Sequence, residues 1–336
     1  MITIDPFAAD GYSVSELTDA INILPNQYNR IERERIFNEK GVSTRSIMVE
    51  EKNGVLTLLT SKPVGSPGDQ NKTGKRTVRT FTIPHFPLDD VILPDEYVGL
   101  RAFGSMTEME QLNTIINDHL QTMKNKHDIT REFLKMCAIK GVILDGDGST
   151  IYNLFTEFGI TQKTVDFALD TDTTEVLAKC FEVLRHMEDN LLGEVMTGCA
   201  CWTDSTFFDA LVTHPVVEDA YKYHSEASNR LGGDTRRWFT FGGITFSEYR
   251  ASVANAAGST TSFIGAGEAY CFPLGTMDTF TIYDAPADFL ETANTIGRAY
   301  YAKMEPRKFN RGLDMHTQTN PLPLCKRPGL LVKLSK

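Results

Sequence analysis

Apolar residues recur at steps of mostly three or four between Met106 and Ala138, at Met109, Leu112, Ile116, Leu120 and Met123 and again at Phe133 and Cys137, with polar residues between them. This spacing predicts one long helix over about 106–139, or two nearly collinear ones, whose methionine-rich face is core. A continuous helix of that length spans roughly 50 Å, more than a compact domain needs and suited to bracing a thin, extended one. Ahead of it the period changes to two. Residues 44–61 carry β-branched and apolar residues on either side of Lys52-Asn53-Gly54, a hairpin-turn signal, and Val78, Thr80 and Thr82 alternate with Arg79, Phe81 and Ile83. Between these runs lies GSPGDQNKTGKR, residues 65–76, with three glycines, three basic side chains and no apolar residue larger than Pro67. Region 44–83 therefore reads as a ribbon with a bare, basic tip. A two-stranded ribbon is marginal alone in water. No helix is interleaved here to cover it, so its support is another chain or, in the simpler reading, the surface of its own domain.

At the N-terminal side, Ser13-Val-Ser-Glu16 has capping-box spacing before Leu17, Ile21 and Leu24, and Pro25 ends this short helix. A second amphipathic stretch is expected over 28–37. Such pieces are too short to fold alone, which leaves a helix pair packed on its own domain or an arm lying on a neighbour. After the long helix, residues 142–155 form two β-like runs around Asp145-Gly-Asp-Gly148, the chemistry of a tight hairpin turn. Over 165–296, helical patterns at 174–192, 203–211 and 216–231 alternate with strand-like pieces at 195–200, 237–241, 244–250 and 280–283, an α/β or α+β arrangement. From Arg298 extended patterns return, broken by Pro306, Pro321, Pro323 and Pro328. They close on Leu330-Leu-Val-Lys-Leu334, a terminal strand.

Composition narrows the function classes. A chain of 336 residues that is 41% hydrophobic can build two or three domain-sized units with real cores. Its net charge of −10 argues against a main surface that grips nucleic acid, so any DNA contact is local. Six scattered cysteines and a first segment, MITIDPFAAD, without the basic and apolar blocks of a secretory signal point to reduced thiols in a soluble cytoplasmic product. No apolar run approaches the length of a membrane span.

Two motifs invite an enzymatic or metal-binding reading. Ile143-Leu-Asp-Gly-Asp-Gly-Ser-Thr150 looks like the nucleophile motif of haloacid-dehalogenase-type phosphatases, with Asp145 attacking and Asp147 protonating beside Mg²⁺. Such a site also needs a later acidic pair at strand ends, whereas Glu188-Asp189 and Glu218-Asp219 fall inside helical patterns, so a plain hairpin turn is preferred. The same residues fail as a calcium loop, since the sixth position is Thr150 and the twelfth Thr156. Cys199-Ala-Cys201 with His214 or His186 offers zinc-type ligands, but no fourth ligand stands at a usual spacing, and cysteines in an apolar strand are mostly core. Neither GxSxG, GxxxxGK[ST] nor GxGxxG occurs. No catalytic set, cofactor or metal is predicted.

The order of parts is more specific than any motif: a helical N-terminus, a ribbon with a bare tip, a long helix, a hairpin, a mixed domain and a β tail. With Ile23-Leu-Pro-Asn26, Ile36-Phe37, Glu39-Lys-Gly-Val-Ser-Thr44, Pro63-Val-Gly-Ser-Pro-Gly68, Arg79-Thr-Phe81, Ile83-Pro-His85, Leu100-Arg-Ala-Phe-Gly104, Ala138-Ile-Lys-Gly141, Leu144-Asp145, Asn153-Leu-Phe155 and Phe158-Gly159, it resembles the major capsid protein of tailed bacteriophages, in particular the lambda-type major head (E) family. The resemblance covers most of the chain and is densest over 20–160. It implies an α+β tailed-phage capsid fold: an N-terminal arm (1–38), an extended loop (39–90), a peripheral domain (91–164 and 298–336) around a spine helix, and an apical domain (165–297). By it, the chain is a non-enzymatic shell protein that self-assembles as hexamers and pentamers in the host cytoplasm around double-stranded DNA. Scaffold, portal and possible decoration proteins are the other implied partners. Lys72, Lys75, Arg76 and Arg79 at the loop tip then become inter-subunit contacts with acidic surface on a neighbour. Lys62, Lys72 or Lys75 could serve in the Lys–Asn cross-link of some such capsids, but no activating carboxylate is identifiable and solvated lysines are the better reading. A ring-forming tail component is the rival structural reading, disfavoured by the long helix and the large middle domain.

Overall fold

In the computed structural model the described residues are 14–23, 30–52, 76–97, 108–220, 239–254 and 260–336. The chain opens on α1 (Val14–Ile23) and α2 (Arg30–Arg33), followed by β1 (Asn38–Gly41) and β2 (Ser46–Lys52). Then β3 (Arg76–Thr82), β4 (Phe86–Ile92) and α3 (Pro94–Tyr97) lead to α4 (Glu108–Lys140). The hairpin β5 (Val142–Leu144) and β6 (Thr150–Asn153) runs into α5 (Leu154–Phe158), β7 (Lys163–Asp166), α6 (Val176–Asn190), β8 (Gly198–Thr203) and α7 (Ser205–Thr213). Next come β9 (Phe239–Phe241), β10 (Ile244–Glu248), β11 (Ser252–Ala254), β12 (Thr260–Ser262), β13 (Glu268–Leu274) and β14 (Phe280–Asp284). The tail supplies β15 (Tyr301–Pro306), β16 (Leu313–Thr319), β17 (Pro321–Cys325) and β18 (Val332–Ser335).

The long helix is continuous over 33 residues because its apolar positions feed two cores in turn. Ile116, Leu120 and Met123 meet Leu17 and Ile21 of α1 and Ile92, Met304, Leu313 and Met315 of the three-stranded sheet β15-β16-β4. Leu134, Met136, Ala138 and Ile139 join the central core with Trp202, Phe272, Phe280 and Leu324. The helix stops at Gly141, whose φ is +83°. A Cβ there would fall 2.3 Å from the Phe155 ring, so only glycine lets the chain turn into β5.

The largest sheet has the order β7-β18-β13-β8-β10-β9. Period two explains why both of its faces are dry. On β8 and β13, Cys199, Cys201, Ala269 and Cys271 face a core under α6 and α7, while Ala200, Trp202, Tyr270 and Phe272 face the central core. Such strands read as unbroken apolar runs with no polar alternation. β18, from the end of the chain, lies between β7 and β13. A further sheet, β1-β14-β17, pairs β1 in parallel with β14 and places Gly41 opposite Asp284.

Several sequence boundaries move for local reasons. The second β run after the long helix ends at Asn153, whose side chain accepts from Phe155 N at 3.1 Å and Thr156 N at 3.3 Å and so starts α5. The helix expected from Thr203 starts at Ser205, since Thr203 closes β8 and Asp204 accepts from Thr206 and Phe207. Among the described residues of the stretch 28–37 only Arg30–Arg33 is helical, and Phe37 instead packs edge-on against Phe280 at 5.3 Å.

A charged clamp joins α4 to β4 and α3. His119 Nδ1 lies 2.8 Å from Asp90 and its Nε2 3.0 Å from Glu96, so both ring nitrogens face carboxylates. Burial works against the charged ring, but the bonds and charges of Asp90 and Glu96 outweigh it and raise its pKa. A folded-state pKa above the ordinary ~6.5 gives stability that is complete below that value and fades as pH rises through the folded one. Thermal melts between about pH 6 and 9 should therefore show a falling limb that His119→Gln flattens. The same slope in both proteins would refute the clamp. Buried His127 works on the other side: burial, then Arg131, His316 and Lys126, pull its pKa to about 4, so its protonation costs stability only on acidification.

Candidate functional site

The ribbon base is built from β2 and β3, paired antiparallel from Ser46↔Thr82 to Lys52↔Arg76. One face carries Ile47, Val49 and Phe81, all buried in the central core. Phe81 meets Tyr152 edge-on at 5.3 Å and Phe158 stacked at 6.2 Å. Tyr152 Oη accepts from Thr82 N at 2.8 Å and lies 3.1 Å from Thr82 O as donor. The base thus lies on α5 and the β5–β6 hairpin of its own chain. The opposite face exposes Met48 and Val78, two apolar side chains on one side of a strand pair. Sequence reasoning passed over them, although the period-two alternation already sets both opposite the Phe81 face.

Of the four basic residues expected at the tip, Lys72 and Lys75 lie outside the described residues. Arg76 is the first residue of β3, opposite Lys52. Arg79 turns onto its own chain: its Nε donates to Glu157 O at 2.7 Å and its guanidinium sits 4.7 Å over the Phe158 ring.

A second feature concerns the N-terminal segment. Arg30 donates to Glu248 O at 2.6 Å and Ser247 Oγ at 2.9 Å while lying over the Trp202 and Tyr249 rings. Ile31 N donates to Glu132 Oε1 at 3.0 Å, and Tyr249 Oη donates to the same oxygen at 2.9 Å. Burial raises the Glu132 pKa even against these bonds. Lys135 and Arg131, both nearly fully buried, face Glu32 and Glu39 at 3.8 and 3.4 Å. Residues 30–41 are thereby latched along α4 and onto the C-terminal end of β10 in the large sheet.

The enzymatic motifs resolve differently. Asp145 and Asp147 spend their carboxylates on their own turn, accepting from Gly146 N at 2.6 Å and Ser149 N at 2.8 Å. The hydrogen bonds from Ser149 hold the exposed Asp147 below the usual carboxylate range, the reverse of what a general acid needs. Cys199, Cys201, Cys180 and Cys271 pack together in the core under α6 and α7, and burial pushes Cys180 up to about 12, which leaves it an inert thiol. His214 and His186 are directed to Thr171 O and Gly329 O instead. Among the described residues no group of three His, Cys, Asp or Glu is arranged to hold a metal.

An own-chain-supported ribbon, a long helix and a sheet closed by the tail form an arrangement with known counterparts. The family described as Phage major capsid protein E matches residues 13–336. The chain belongs to this capsid protein family. Two relatives agree with that membership: the major capsid protein of Pseudomonas phage KPP10, 31% identical with 98% of each chain covered, and that of Salmonella phage Felix O1, 27% identical over 96% of this chain and 95% of the relative. The fold is similar to a prophage capsid protein of Escherichia coli CFT073, with a TM-score of 0.61 at 13% identity over 96% and 98% of the two chains. It is also similar to the mature capsid of bacteriophage PhiM1, at 0.52 and 12% over 93% and 88%. This capsid protein is a structural virion component and not an enzyme. No helix among the described residues is long and apolar enough to cross a membrane.

Proposed function

We propose that copies of this capsid protein assemble as hexamers and pentamers into the icosahedral head shell of a tailed phage, enclosing double-stranded DNA. Family membership over residues 13–336 is the observation that carries this reading. In it, residues 1–38 are the N-terminal arm, 39–90 the extended loop, 91–164 with 298–336 the peripheral domain, and 165–297 the apical domain. β18 stitches the last two together, since this tail strand lies inside the sheet of the apical segment. The ribbon is anchored at its base on its own subunit, and residues 53–75 reach a neighbour, where Lys72 and Lys75 meet acidic surface. Exposed Met48 and Val78 supply an apolar contact beside them. Closed rings of many modest heterologous interfaces are enough to build such a shell without chemistry. Assembly takes place in the host cytoplasm with a scaffold, a portal and possibly a decoration protein. The net charge of −10 suits a wall against which packed DNA slides without sequence-specific binding.

Negative-stain electron microscopy of the purified full-length protein tests the proposal. Rings or closed shells are expected from the native chain. Deletion of residues 65–75 should abolish them while leaving the circular dichroism spectrum unchanged. Closed shells from the deletion variant would overturn the role given to the ribbon, and a persistent monomer of the native chain, with or without a scaffold, would overturn assembly itself.

A further inference from the structure

Two of the six cysteines face each other across the middle of the large sheet. β13 and β8 are its third and fourth strands, and in their antiparallel register Cys201 stands directly opposite Cys271. Opposed residues are of two kinds, and the main chain tells which kind this is. Asp204 N donates to Glu268 O at 3.2 Å, so Asp204 and Glu268 form a hydrogen-bonded pair. Bonded and non-bonded pairs alternate along an antiparallel ladder. Counting inwards from there, Thr203↔Ala269 is non-bonded, Trp202↔Tyr270 bonded and Cys201↔Cys271 non-bonded. Pro273 agrees with this phase: it stands opposite Cys199, two pairs further on, where the count again gives a non-bonded pair and the ladder needs no N–H from proline.

A non-bonded pair brings its two Cα atoms to about 4.5 Å and holds its side chains close together. That separation lies within the roughly 4.4–6.8 Å that a disulfide spans. The Cys271 thiol interacts with the thiols of both Cys201 and Cys199. Cys199, however, is only its diagonal neighbour, and diagonal pairs at about 7–8 Å exceed the span. The Cys199 thiol also donates to Met187 Sδ at 3.5 Å. We propose that Cys201 and Cys271 are a latent cross-strand disulfide, closed by a small peroxide, that staples the centre of the large sheet. The Cys201 sulfur attacks the peroxide, the O–O bond breaks, and Cys201 becomes a sulfenic acid while the departing hydroxide takes the thiol proton as a first water. The Cys271 sulfur then attacks the Cys201 sulfur; the S–O bond breaks, the S–S bond forms, and hydroxide leaves with the Cys271 proton as a second water. Two thiols and one peroxide give one disulfide and two waters, with two electrons passing from sulfur to peroxide. Both side chains are fully buried and burial raises both thiol pKa values, so a small neutral oxidant suits the site and closure quickens as pH rises. Its occasion is the passage of a virion component from the reducing cytoplasm of the proposed assembly to oxidising surroundings. The staple itself stands on the subunit alone and does not depend on how shells assemble.

The test treats the purified, unassembled full-length subunit with hydrogen peroxide, blocks the remaining thiols with iodoacetamide and maps the links by peptide mass spectrometry. Cys201–Cys271 is expected as the dominant link. Because it closes the loop from 201 to 271 in the unfolded chain, it should raise Tm by about 5 °C or more, and dithiothreitol should reverse both effects. Cys199→Ala should keep the link and the shift, whereas Cys201→Ala should lose both. The native chain unfolded in urea and refolded in a glutathione buffer should select the same pair, which tests the pairing without any substitution. Peroxide that leaves Cys201 and Cys271 as free thiols would overturn the proposal. So would a dominant link from Cys271 to Cys199 or Cys180 by either route, or a Cys201–Cys271 link that leaves Tm unchanged or lower.

Discussion

Asp284→Ala is expected to destabilise the subunit by about 3–5 kcal/mol, the cost of leaving a buried charge without its partner. Arg131 and Asp284 meet at 2.5 Å with side chains 4% and 5% exposed. The guanidinium also reaches Thr319 Oγ1 at 3.3 Å and the carboxylate of Glu39 at 3.4 Å, but Glu39 is 49% exposed and solvent weakens its pull, so it offsets only part of the loss. The main chain of Asp284 accepts from Val42 N at 2.9 Å at the end of β14 where β1 joins it, a bond that alanine keeps, so the loss is that of the side-chain charge. Urea denaturation of the unassembled subunit measures the effect apart from assembly. A double replacement, Arg131→Met with Asp284→Leu, should recover most of the loss, since it removes both charges at once. A cost below about 1 kcal/mol for Asp284→Ala would mean that solvent reaches Arg131 in solution and that the pair is no anchor.

Trp202→Ala should cost a similar amount, about 3–5 kcal/mol, for a different reason. The indole is fully buried, stacked on Tyr249 at 5.0 Å and edge-on to Phe272 at 4.8 Å. Its Nε1 has no hydrogen-bond partner among the described residues, so truncation orphans no acceptor, and the loss is that of packing and the cavity left behind. Arg30 loses one of the two rings beneath it, which weakens the hold on the N-terminal segment. Faster proteolysis near Arg30 and Arg33 should accompany the fall in stability. Trp202→Phe keeps an aromatic surface against Tyr249 and should lose less than half as much. Equal losses in the two variants would point to a role outside packing.

Much of this architecture is legible along the chain where the physics is local. The 3.6-residue period of 106–139 marks α4, Asp-Gly-Asp-Gly marks the β5–β6 turn, and alternation over 77–83 marks β3. The lambda-type resemblance also lies in short local runs, and the match of the family to residues 13–336 agrees with it. The site was less legible. Arg79 reads as a tip contact by its charge and position, yet it is spent on Glu157 and Phe158 of its own chain. No pattern within the ribbon signals that, because α5 follows it by more than seventy residues.

By itself, then, the sequence marked the long helix, the β3 strand and the β5–β6 hairpin, the acidic balance of the chain and the capsid family to which it belongs. Only the tertiary structure decided what the polar side of α4 is for. Periodicity assigns Lys124, Asp128, Arg131, Glu132 and Lys135 to solvent, but all five are buried. A buried charge is tolerable only beside a partner, and the partners here come from distant segments: Glu32 and Glu39 from the N-terminal segment, Tyr249 from the turn after β10, Asp284 from β14 and Tyr300 from the tail. One segment of sequence records each charge but not its distant counter-charge, and folding alone brings the two within reach.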